Sequence, residues 1–139
     1  MRKHIKIKLN GQHLPVQHGE WIDLTTAEDV DMKQFDFKII SLGICMKVPR
    51  GYYCEIVPRS STYKKYGIFM ANSVGIIEDN YCGDEDVWGF PAIALRDTKI
   101  AKGTRICQFR LVKKAPRVKF HPVQFMKNKS RGGFGSTGV

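Results

Sequence analysis

No long stretch of this chain keeps a helical apolar period; apolar residues recur instead in short alternating runs cut apart by turn formers. Ile5, Ile7 and Leu9 alternate with His4, Lys6 and Lys8, so His4–Leu9 can bury one face and solvate the other. Asn10-Gly11 stops that run, and Pro49-Arg-Gly51, Arg96-Asp-Thr98, Lys102-Gly103 and Ala115-Pro116 stop others. Between these breaks Tyr53–Pro58, Val87–Leu95, Arg105–Val112 and Val118–Phe125 read as strands. Phe35, Phe37 and Ile39 alternate in one phase and Ile40, Leu42, Ile44, Met46 and Val48 in the other, which predicts a β-bulge or a short connection. A single helical turn fits around Ser61–Tyr66. Short strands with this punctuation define an all-β sandwich or barrel.

The 139 residues suffice for one domain with its own core, and 42% hydrophobic with 26% charged residues is ordinary for a globular protein. No apolar run is long enough for a membrane helix, and Met-Arg-Lys-His-Ile-Lys lacks the apolar segment of a signal peptide, so a soluble cytoplasmic protein is expected. Cys45, Cys54, Cys82 and Cys107 contain no C-x-x-C pair, and the histidines do not cluster, which argues against a zinc knuckle or redox motif. The net charge of +10 favours an anionic partner without choosing between nucleic acid, nucleotide and acidic protein. From Lys127 onward the composition turns to glycine, lysine and serine around one aromatic residue, so residues 1–126 are expected to form the β domain and 127–139 a mobile arm.

Several stretches carry chemistry. In Asn72–Gly83, Ile76 and Ile77 run into Glu78 and Asp79 and then Tyr81, between Gly75 and Gly83: a strand entering a tight turn that could hold a water beside a flat ring, or simply a hairpin tip with solvated acids. Asp23 lies between two apolar residues, as a strand-end turn former or a functional carboxylate. In Pro58–Gly67, Arg59, Ser60 and Ser61 follow a proline that ends a strand, so amides, hydroxyls and a guanidinium can converge on an anion, although an ordinary helix cap would look alike. Lys102–Gln108 is a turn leading into a strand with Arg105 and Gln108. Gly133-Phe-Gly-Ser-Thr-Gly138 matches G-x-G-x-x-G formally, but no helix can follow it with only Val139 remaining, which excludes a dinucleotide fingerprint. Its exposed amides, the Ser136 and Thr137 hydroxyls and the Arg131 fork suit phosphate, and the Phe134 ring suits a base.

Taken in order, Ile22-Asp-Leu24, Pro58–Gly67, Asn72–Gly83, Lys102–Gln108 and Arg131–Gly138 resemble the five motifs of the trimeric dUTPase family, in the manner of enzymes from Gram-positive bacteria and their phages. The resemblance implies a jelly-roll-like, distorted β-barrel that assembles as a homotrimer and hydrolyses dUTP to dUMP and pyrophosphate with Mg²⁺. Such a reaction limits uracil in DNA and supplies dUMP. It implies that Glu78 activates the water and that Asp23 steadies the metal's water shell. Arg59, Ser60, Ser61 and Gln108 would hold phosphates. The Asn72–Tyr81 backbone, including Gly75 and Ile77, would read uracil while Tyr81 rejects a 2′-hydroxyl. Phe134 would stack on the base, with Arg131, Gly135, Ser136 and Thr137 closing over the phosphates of a neighbouring subunit's site.

Two positions depart from the family pattern: Glu78 stands where an Asp is usual, one methylene longer, and Thr104 replaces an Asp that could pair with an arginine. The first keeps alive a nucleotide-binding regulatory protein with impaired turnover. Deamination of dCTP, a rival on the same fold, needs a glutamate where this chain has Trp88. A basic nucleic-acid-binding barrel is the third alternative, and it predicts steep salt dependence.

Overall fold

The computed structural model describes residues 2–135. In chain order its strands are β1 (Lys6–Lys8), β2 (Gln17–His18), β3 (Trp21–Thr25), β4 (Val30–Met32), β5 (Phe37–Ser41), β6 (Cys45–Lys47) and β7 (Tyr52–Pro58). Helix α1 (Thr62–Tyr66) follows, then β8 (Ile68–Met70), β9 (Gly75–Ile77), β10 (Gly89–Ala94), β11 (Thr98–Ile100) and β12 (Arg105–Lys113). They form antiparallel sheets: a five-stranded sheet ordered β2-β3-β12-β7-β9, a three-stranded sheet β5-β10-β8, and the pairs β1-β6 and β4-β11. The all-β expectation holds, with sheets layered in jelly-roll fashion but not closed into a continuous barrel.

One face of these sheets supplies the core. Ile40, Leu42, Ile44, Met46 and Val48 are buried together with Ile56, Ile68, Phe90, Ile106 and Phe109, and Trp88 meets the Phe109 ring edge-on at 5.3 Å. The phase change expected to mark a β-bulge or short connection is neither: Ile39 and Ile40 are neighbours inside β5, whose register against β10 is unbroken, and they face opposite sides of the sheet. Phe37 and Ile39 belong to the other face of β5 and are 59% and 62% exposed. The register sets Ile39 opposite Pro91 and Phe37 opposite Ile93, with Phe69 beyond, so the outer face of this sheet is apolar as well.

The strand expected over Val118–Phe125 is not formed. Val118, Phe120, Val123 and Phe125 are exposed, because no sheet edge within the described chain pairs with the segment. Regular structure ends at Lys113, and an exposed, irregular stretch of residues 115–126 precedes the arm expected from Lys127.

Candidate functional site

The five-stranded sheet brings three of the motifs together. β3 pairs with β12 so that Asp23 stands opposite Gln108, which makes Asp23 a mid-strand residue and rules out the strand-end turn former. Its carboxylate meets Arg59 Nε at 3.3 Å and Arg105 Nη1 at 3.6 Å. Gln108 reaches the Pro58 carbonyl with its amide at 3.4 Å. Two guanidiniums around one half-buried carboxylate leave a net positive cluster, suited to an anion with several oxygens.

The loop carrying Arg59, Ser60 and Ser61 is held from behind by Thr62, which the sequence reading did not single out. Its hydroxyl is buried, accepts the Arg59 backbone N–H at 3.0 Å and donates to the Ile106 carbonyl at 2.7 Å. The helix behind the loop is stopped by Gly67 at φ +65°, whose N–H bonds Tyr63 O at 2.7 Å; a Cβ there would lie 2.6 Å from Arg96 Cγ. Ser61 occupies the cap position of α1 without a capping bond from its side chain, so its hydroxyl is not consumed by an ordinary helix cap. Thr104, which stands where the family pattern has an Asp, is used locally: its hydroxyl donates to Ala101 O and its N–H to Thr26 Oγ1, closing the turn ahead of β12 against the buried Thr26. Arg105 finds its acidic partner in Asp23 instead.

Asn72–Gly83 builds a separate cavity of about 400 Å³. Gly75, Ile77, Glu78 and Tyr81 line it, with Ile39 and Pro91 as its apolar wall. Gly75 lets the strand pass close to Ile56: a Cβ there would lie 3.2 Å from Ile56 Cβ, and the neighbour would have to give by a few tenths of an ångström. Asn72 braces the strand entry through its amide to Val74 O at 3.4 Å. Tyr81 is fixed by its hydroxyl to Val87 O at 3.0 Å, and its N–H closes the turn on Glu78 O at 3.2 Å. Glu78 faces the cavity; Asp79 does not line it and is ion-paired with Lys114 at 2.9 Å, which holds its carboxyl below the ordinary value. Trp88, at the position where the sequence reading asks a deaminase for a glutamate, is fully buried against this cavity.

Phe134 stands fully exposed at φ +53°, next to Gly135 at φ +89°, and Arg131 Nε bonds Gly132 O at 3.2 Å. Within the single chain the arm thus joins neither cluster, and Ser136 and Thr137 lie outside the described residues. Among the described residues no group of His, Cys, Asp and Glu gathers as a metal cage.

A cationic cluster on one part of an all-β sheet suits an anion, and a small cavity with an acid and a tyrosine on another suits a small polar ligand. The dUTPase family profile matches residues 22–138, and the chain belongs to that family. It is 54% identical over 124 residues, 89% of this chain and 87% of the relative, to the SPbeta prophage-derived deoxyuridine 5'-triphosphate nucleotidohydrolase of Bacillus subtilis. A deoxyuridine 5'-triphosphate nucleotidohydrolase of Finegoldia magna is 34% identical over 81% of this chain and 79% of its own. The Staphylococcus bacteriophage 80alpha dUTPase, solved with dUPNHPP, superposes with a TM-score of 0.82 at 19% identity, covering 99% of this chain and 100% of that one. The dUTPase of Streptococcus mutans gives a TM-score of 0.74 at 19% identity, over 84% and 100%.

Proposed function

We propose that this protein is a dUTP diphosphatase, hydrolysing dUTP to dUMP and pyrophosphate in a homotrimer whose active sites are shared between subunits. The observation that carries this reading is the cavity lined by both Glu78 and Tyr81, in a chain whose prophage relative bears that enzymatic name. Uracil would sit against the Gly75–Ile77 strand, and the Tyr81 ring, locked by Val87, would leave no room for a 2′-hydroxyl. Glu78 would accept a proton from the attacking water, and the longer side chain is tolerable if its turn is held firmly. Arg59, Ser60, Ser61 and Gln108 would take the phosphate oxygens, where charge builds as the bond breaks. Arg131, Phe134, Gly135, Ser136 and Thr137 would cover the site and exclude water once the arm docks.

One carboxylate beside two guanidiniums fits Mg²⁺ bound mainly by substrate phosphates and water, with Asp23 holding a water of its shell. Bound there, Mg²⁺ would neutralise triphosphate charge. The apolar outer face of β5-β10-β8, continuous with the cavity through Ile39 and Pro91, supports burial against a second copy. A cytoplasmic enzyme matches this substrate.

The test is incubation with dUTP or dCTP, with and without Mg²⁺, following pyrophosphate and deamination. Mg²⁺-dependent pyrophosphate from dUTP alone is expected, and Glu78→Gln should abolish it while a non-hydrolysable analogue still binds. Tight binding without turnover in the unaltered protein would instead establish a regulatory dUTP-binding protein.

A further inference from the structure

The turn that presents Glu78 is joined to the end of β12 by an ion pair. Asp79 Oδ2 accepts from Lys114 Nζ at 2.9 Å, and the Asp79 side chain is only 25% exposed. Lys114 is also the last residue the body of the domain grips: its backbone N–H donates to Gly51 O at 2.9 Å, and beyond it residues 115–135 carry no strand or helix. Arg50, on the turn that Gly51 closes, adds a second positive charge near Asp79. Adjacent residues are linked by one rigid peptide plane, so fixing Asp79 outward limits the directions open to Glu78. On the other side Tyr81 is pinned through its hydroxyl and its N–H. Glu78 thus sits between two anchors, and the one at Asp79 is held at the end of β12.

We propose that the Asp79–Lys114 ion pair is a positioning device that aims Glu78 at its water by tying its turn to the end of β12. This rests on the reading of Glu78 as the base. General-base geometry falls off steeply, about 100-fold for a displacement of roughly 1 Å, so even a weak tether has a kinetic signature. It also gives the unusual Glu78 a rationale, because a longer side chain needs a more firmly held backbone to deliver its carboxylate reproducibly. The pair adds no group to the chemistry; it acts through Glu78.

The test is a double-mutant cycle of Asp79→Ala, Lys114→Ala and the double variant in the full chain, with Lys114→Arg as the conservative rescue. Each single variant should lower kcat by about three- to tenfold while KM for dUTP stays within about twofold. The double variant should be no worse than either single one, and Lys114→Arg should restore most of the loss. Hydrogen exchange of the Tyr81 amide should quicken by up to about fivefold in both single variants, the scale expected of an exposed ion pair. Unchanged kcat, multiplicative losses, or a rise in KM alone would overturn the proposal. If the unaltered protein releases no pyrophosphate, the base assignment fails separately, and unchanged Tyr81 exchange would then dispose of the tether as well.

Discussion

Thr62→Val removes one oxygen at nearly constant shape and isolates what holds the phosphate loop. The hydroxyl satisfies the Arg59 N–H at 3.0 Å and the Ile106 carbonyl at 2.7 Å, and both Thr62 and Ile106 are buried. A buried backbone group left without a partner costs about 1–3 kcal/mol. Arg59 is partly exposed, so its N–H can recover some of that from water, while the Ile106 carbonyl cannot. The sum comes to about 2–4 kcal/mol. For a chain of this length each kcal/mol moves Tm by about 3–4 °C, so a fall of about 6–15 °C is expected. Circular dichroism melting at one fixed protein concentration measures it, since oligomer stability depends on concentration. Thr62→Ser keeps both bonds and loses one methyl group, worth about 0.8 kcal/mol, so it should melt within about 3 °C of the unaltered protein. If Thr62→Val melts with the unaltered protein, or Thr62→Ser falls as far as Val, the hydroxyl is not what anchors the loop.

Mixing inactive Arg59→Ala and inactive Glu78→Gln proteins, after dissociation and reassembly, should restore activity absent from both; no recovery would place a whole site within one chain. Ile39→Asp should shift the protein from trimer to monomer in sedimentation analysis, because it puts a charge on the apolar outer face of β5. Of the four cysteines only Cys82 is exposed, so a thiol reagent should label one site per native chain and four after denaturation. That labelling should slow turnover because Cys82 adjoins Tyr81; burial alone pushes the Cys54 thiol up to about 12 and keeps it silent. Truncation after Lys129 should leave the melting temperature within about 2 °C but remove most activity, and full activity would contradict a catalytic arm.

The strands with strict alternation were legible because burial of one face is a local pattern, as in β1 and β10. Both faces of β5 are apolar, so its two alternations mimic a phase change, although Ile39 and Ile40 simply face opposite sides of one regular strand. Val118–Phe125 has a strand's pattern, yet a strand needs an edge to pair with, and pattern alone cannot supply one. The same limit governs the site. Glu78 and Asp79 are indistinguishable as neighbouring acids until Lys114, 35 residues away, is seen to engage one of them. Thr62 passed for another hydroxyl after Ser60 and Ser61 because its acceptor lies 44 residues downstream. Its only local signal was its place four residues after Pro58, where a loop leaving β7 must be tied down.

Register also bears on the proposal that the sites are shared between subunits. Asp23, Gln108 and Val57 form a row across β3, β12 and β7, whereas Ile77 on β9 stands opposite Cys54, three residues further back along β7. With about 3.3 Å per residue along a strand and about 4.8 Å between strands, Asp23 and Ile77 are separated by roughly 17 Å. No side chain spans such a gap, and Glu78 follows Ile77 into a turn tied to Lys114 at the far end of β12 from Arg105. A phosphate held at Asp23 and a base held at Gly75–Ile77 of the same subunit would therefore lie at opposite ends of the sheet. If a second copy packed against the apolar wall of Ile39 and Pro91 brought its own Arg59 and Gln108 to the cavity, assembly would be a condition of catalysis, as the proposed shared site requires.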